Sequence, residues 1–132
     1  MRPRALLWTT AVAATLLVSG CGDADPSTSP APDDGPPVLI EIVAADIAFE
    51  PTSITIPTGA RVQVHFTNRD ASVPHNVALQ AGPGFATKLI ASEIVTGPAV
   101  DDLEIPGLAA GRYRFVCEVH PTMTVEVQVG PT

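Results

Sequence analysis

Short runs of alternating apolar residues, each cut off by turn-forming residues, are the feature that most limits what this chain can fold into. Val38, Ile40, Ile42 and Ala44 alternate with other residues, as do Ile54 and Ile56, then Val62, Val64 and Phe66. A period of two puts one side of an extended segment against a core and the other toward water, so each run predicts a strand. The runs are separated by Glu50-Pro51-Thr52, Pro57-Thr58-Gly59 and Thr67-Asn68-Arg69-Asp70, and Gly82-Pro83-Gly84 opens a further loop. Residues of these kinds favour turns. Further strands are expected at Val77–Gln80, Lys88–Val95, Asp101–Ile105, Arg112–Cys117 and Thr124–Val129, and no stretch sustains helical spacing. The prediction is an all-β fold, a Greek-key β-sandwich or barrel of about eight strands.

The first 37 residues obey different rules. Arg2 and Arg4 precede an apolar run from Ala5 to Val18 that ends in small residues, which makes residues 1–20 an expected secretory leader. An uncleaved membrane anchor is the alternative, disfavoured because the run is shorter than the ~20 apolar residues a span requires. Val18-Ser19-Gly20-Cys21 resembles the lipobox of bacterial lipoproteins, in which the cysteine is lipidated and becomes the new N-terminus. That resemblance implies a lipid anchor on Cys21, and residues 21–37 are then the lipidated cysteine and a disordered linker rich in Pro, Ser and Asp. A Cys21–Cys117 disulfide is disfavoured, since nothing in the sequence holds a flexible tether beside the end of a strand.

Residues 38–132 are enough for one core and too few for two, so a single folded domain is expected. Without the two arginines of the leader, five basic residues face 14 acidic ones, leaving about −9 with histidines neutral. A nucleic-acid role is disfavoured, because phosphate binding needs a basic face.

Chemistry concentrates in Cys117-Glu118-Val119-His120-Pro121-Thr122-Met123, where Met123 is the sole methionine besides Met1. Thiolate, imidazole and thioether from one tight loop are soft to borderline donors, suited to copper and unsuited to magnesium or calcium. His75, in Val73-Pro74-His75-Asn76-Val77, supplies a second imidazole from a separate segment. Two histidines and a thiolate with a weak axial methionine make up a type 1 electron-transfer copper site. Zinc is the alternative, but it would leave the methionine unused and have only three good ligands. In the preceding strand Tyr113, Phe115 and Cys117 share one face, so the cysteine is expected to point inward.

Cys117-x2-His120-x2-Met123 at the end of Gly111-x-Tyr113-x-Phe115-x-Cys117, with His75-Asn76 upstream, resembles the cupredoxins, the blue-copper proteins, in their amicyanin/plastocyanin-like form. The resemblance extends from about Asp46 through Val129. It implies one type 1 copper per chain, with His75, Cys117 and His120 as strong ligands, Met123 as the axial thioether and His120 at the solvent edge. It further implies that Asn76 pins the two ligand segments together, that Glu118 faces away from the metal, and that Tyr113 forms a tyrosine corner. One departure is visible: Thr124-Val125-Glu126 lacks the glycine that relatives commonly carry after the methionine. His65 falls on the face opposite Val62, Val64 and Phe66, so it is expected at the surface rather than at the metal.

The implied function is electron transport by a monomer lipid-anchored on the outer, periplasmic side of the cytoplasmic membrane, exchanging electrons with a redox protein. No enzyme activity is expected, because four protein ligands leave no position for a substrate. Copper storage or delivery with the same residues is the alternative. Pro74, Pro83, Phe85 and Pro121 are expected to form an apolar collar around the edge of His120, where such a partner would dock.

Overall fold

The computed structural model describes residues 35–131. The expected leader, linker and lipidated Cys21 fall outside the described residues, apart from the last three linker positions. The first strand begins at Val38, where the alternation starts.

Eleven strands are present among the described residues: β1 (Val38–Ala45), β2 (Ala48–Glu50), β3 (Ser53–Pro57), β4 (Val62–Asn68), β5 (Pro74–His75), β6 (Ala78–Ala81), β7 (Thr87–Ala91), β8 (Val95–Thr96), β9 (Ala99–Ile105), β10 (Gly111–Val116) and β11 (Thr124–Gly130). One sheet has the order β2-β1-β4-β9 and the other β3-β11-β10-β6-β7, while β5 and β8 form a small separate ribbon. Both large sheets are open, so the fold is a sandwich and not a closed barrel. The count exceeds eight because β2, β5 and β8 have only two or three residues each, too few to show a periodicity.

Alternation decides which side of each strand is inside. Ile42 and Ala44 of β1 and Val62, Val64 and Phe66 of β4 are buried, and they meet Phe115 of β10 and Val125, Val127 and Val129 of β11 in one core. Phe49 of β2 stands edge-on to Phe66, with ring centroids 6.2 Å apart. Burying each large apolar side chain of this set contributes roughly 1.5–3 kcal/mol.

The single strand expected over Lys88–Val95 is broken in two. β7 pairs with β6 as far as Ala78↔Ala91. Ser92 then takes over the ladder, with its hydroxyl accepting from the Val77 amide at 3.1 Å and its own N–H donating to the Val77 carbonyl at 3.0 Å. The chain leaves the sheet there, and β8 pairs instead with β5, placing Val95 opposite His75.

Candidate metal centre

β10 carries Cys117 to the end of the sandwich. The Tyr113 hydroxyl donates to the Ala109 carbonyl at 2.9 Å, tying the incoming turn to the strand as a tyrosine corner does. Phe115 and Cys117 face inward and are fully buried. Beyond Cys117 the chain doubles back through two backbone bonds: Met123 N–H donates to the His120 carbonyl at 2.9 Å, and Cys117 N–H donates to the Met123 carbonyl at 3.1 Å. Thr124 then pairs directly with Val116 to start β11. The residues after Met123 are already in strand conformation, and none of them has a positive φ. A glycine there is therefore unnecessary.

His75 arrives from the other side, on β5. The loop before it is organised by Asn68, whose Nδ2 donates to the carbonyls of Val73 and Val95, each at 2.8 Å, while its Oδ1 accepts from the Asp70 amide at 3.0 Å. Gly97 packs against this loop so closely that a Cβ there would lie 2.4 Å from the Asp70 carbonyl oxygen.

These supports bring three donor atoms together. His75 Nδ1 lies 3.6 Å from Cys117 Sγ and 3.1 Å from His120 Nδ1. All three atoms fall within 4.8 Å of one another. Nitrogen and sulfur bonds of about 2.0–2.3 Å to one small ion, meeting at about 105–120°, would separate the donors by roughly 3.2–3.7 Å. The two separations measured from His75 Nδ1 lie at or close to this range, and the third pair falls within the 4.8 Å that encloses all three atoms. Met123, which is 2 % exposed, belongs to the core cluster that contains Cys117. His75 is fully buried and His120 only partly, so one imidazole is enclosed and the other reaches the surface.

A clasp joins the two ligand segments at the residues that follow His75 and Cys117. Asn76 Oδ1 accepts from the Glu118 backbone N–H at 2.9 Å, and Asn76 Nδ2 donates to Glu118 Oε2 at 2.8 Å. Lys88 caps the other carboxylate oxygen at 2.7 Å. The Lys88 ammonium, followed by the Asn76 amide, holds the Glu118 carboxyl below the usual carboxylate range. With both oxygens engaged, Glu118 is no metal donor.

Sequence reasoning missed Asp70. Its Oδ2 lies 2.9 Å from His75 Nε2 and accepts the Ile47 N–H at 3.0 Å, while Oδ1 accepts the Asp46 N–H at 2.6 Å. The Ile47 amide above all, with His75 and the Asp46 amide, holds this carboxyl below its ordinary range against the opposing effect of desolvation. In the sequence Asp70 is one of several turn residues between two strands, and the amides that hold its carboxylate in place come from a turn more than twenty residues away.

The sequence matches the family profile of the cupredoxin-like domain over residues 8–129. The chain belongs to the cupredoxin-like domain family. A comparison with curated proteins finds no match. Among solved structures, this cupredoxin superposes on auracyanin A, described as a blue copper protein of Chloroflexus aurantiacus, with a TM-score of 0.64 and 23% identity, covering 71% of this chain and 99% of that one. Rusticyanin from Thiobacillus ferrooxidans gives 0.60 at 21% identity, covering 73% and 79%. A reduced Cu(I) amicyanin gives 0.52 at 24%, covering 73% and 86%. With this family and this donor set, His75, Cys117 and His120, together with Met123, form a type 1 copper site.

The expected collar needs correction. β6 leaves the metal end at Ala78, which is paired with Val116, and runs away from it to Ala81, so the turn holding Pro83 and Phe85 lies at the opposite end of that strand. Phe85 instead lies under Arg114, whose guanidinium carbon is 4.6 Å from the ring centroid. Loop order along the chain could not reveal this, because it depends on the direction of β6. The apolar surface beside His120 comes from its own loop, where Val119 is 38 % exposed and Pro121 is exposed. His65 is at the surface, paired with Asp102 at 2.8 Å.

Proposed function

We propose that this cupredoxin is a one-electron carrier, held by a lipid on Cys21 outside the cytoplasmic membrane, that works as a monomer with a redox protein as its partner. The observation that carries the reading is the gathering of His75 Nδ1, Cys117 Sγ and His120 Nδ1 within 4.8 Å by the protein alone. His75, Cys117 and His120 are the proposed strong ligands and Met123 the weak axial one. Copper bound there would supply a Cu(II)/Cu(I) couple.

The protein's part is to hold its donors still. The backbone bonds around Met123 and the Asn76–Glu118 clasp keep both ligand segments in place whichever charge the site carries, so little reorganisation accompanies electron exchange. This favours a carrier over a delivery protein, which has to loosen its ligands to release the ion. Cys117, Met123 and His75 are shut off from water, while His120 is partly exposed beside Val119 and Pro121. Its edge is the proposed route for the electron, with a partner seated on that apolar rim. The resemblance of the fold to auracyanin A and rusticyanin is consistent with this reading.

The test is the copper-loaded protein itself. It should show an intense visible thiolate-to-copper band that disappears in Cys117→Ser, together with a reversible voltammogram and copper kept through repeated cycles. A Cys117→Ser variant that stayed blue would remove the ligand assignment. Copper passing readily to a competing apo-protein would favour delivery instead.

A further inference from the structure

We propose that Asp70 is the positioning residue for His75, fixing which imidazole nitrogen faces the metal and biasing the copper toward its oxidised state. The proposal deepens the electron-carrier reading and rests on it for the redox part alone.

His75 is fully buried, and an imidazole that binds a metal is neutral, with the proton on one nitrogen and a lone pair on the other. The Asp70 carboxylate sits at the centre of three donors. Oδ1 takes the Asp46 N–H at 2.6 Å, and Oδ2 takes the Ile47 N–H at 3.0 Å and faces His75 Nε2 at 2.9 Å. As an acceptor-only group it requires the proton on Nε2, which leaves the lone pair on Nδ1. Nδ1 is the atom 3.6 Å from Cys117 Sγ and 3.1 Å from His120 Nδ1. The ring is thus set in the metal-binding tautomer by a residue that does not itself reach the metal.

Asp70 is in turn held firmly. Its backbone N–H donates to Asn68 Oδ1 at 3.0 Å and its carbonyl accepts from Val73 N–H at 3.1 Å. Its side chain is 13 % exposed, so water screens it only in part. A carboxylate hydrogen-bonded behind a ligand imidazole makes that imidazole a stronger donor. The oxidised ion carries one more positive charge than the reduced one and gains more from this, so Asp70 lowers the reduction potential. Losing an outer partner of this type typically costs 10–100-fold in metal affinity. If that loss falls on Cu(II), Asp70→Asn raises the potential by about 60–120 mV, at 59 mV per tenfold for one electron.

The experiment uses the full chain with two readouts. Nitrogen NMR of the metal-free protein should find His75 protonated on Nε2, and Asp70→Asn should disturb that tautomer. Voltammetry of the copper-loaded Asp70→Asn protein should show the upward shift, whereas Asp102→Asn, which removes an equal charge beside the surface residue His65, should leave the potential in place. His75 protonated on Nδ1 in the wild type overturns the positioning claim, with or without copper and whether or not the variant folds. An Asp70→Asn potential equal to that of wild type, or a comparable shift in Asp102→Asn, overturns the redox claim. If the wild type shows no type 1 spectrum while His75 is protonated on Nε2, the carrier reading fails, the redox claim falls with it, and the positioning stands.

Discussion

Asn76 Oδ1 accepts the backbone N–H of Glu118 at 2.9 Å, joining the residue after one ligand to the residue after another across 42 positions of sequence. The same side chain returns a bond from Nδ2 to Glu118 Oε2, so two segments that share no strand pairing at this point are locked by one amide.

Asn76→Ala should therefore be costly. It removes both bonds to Glu118 and a longer one from Nδ2 to the Ser92 carbonyl at 3.4 Å, each net contribution being about 0.5–1.5 kcal/mol. A total loss of roughly 2–4 kcal/mol is expected in denaturant unfolding of the metal-free protein. Glu118→Ala leaves the backbone bond in place and should cost less. Equal losses in the two variants would show that the backbone clasp contributes nothing.

Gly97→Ala should disturb the loop before His75 without touching a ligand. The added methyl would meet the Asp70 carbonyl oxygen at 2.4 Å and Asn68 Oδ1 at 2.7 Å, and neither has a free direction in which to yield. Overpacking of this kind costs about 1–3 kcal/mol, or roughly 4–8 °C in Tm per kcal/mol for a domain of this size. Gly130→Ala, whose methyl would find only Gln128 Nε2, at 4.0 Å, is the control and should be nearly neutral. Similar melting temperatures for the two variants would contradict the packing argument.

The proposed tether rests on the Val18-Ser19-Gly20-Cys21 pattern. Two acyl chains give stable membrane attachment where one gives only marginal binding. Cys21→Ser should move the protein from the membrane fraction to the soluble one, or stall it as an uncleaved precursor of greater mass. Membrane retention at the mature mass would mean that something other than a lipid holds it.

The alternation in β1, β4, β10 and β11 was readable along the chain because a strand's inside and outside are set by parity, and parity is local. Cys117, His120 and Met123 were readable for the same reason: a tight loop needs its donors close in sequence. Ser92 was harder to read, since a serine ends a strand only when its hydroxyl finds a competing partner, here the Val77 amide.

By itself, then, the sequence determined the longer alternating strands, the inward face of Cys117 and the soft donor set that selects the metal, all properties of short segments. Tertiary structure alone decided that Asp70 stands behind His75, that Asn76 clasps Glu118, and that Phe85 lies beyond the end of β6 away from the metal, beneath Arg114. The last two depend on strand direction and on contacts between segments distant in sequence, and the first on how the short loop from Asp70 to His75 folds back on itself, none of which the spacing along the chain encodes.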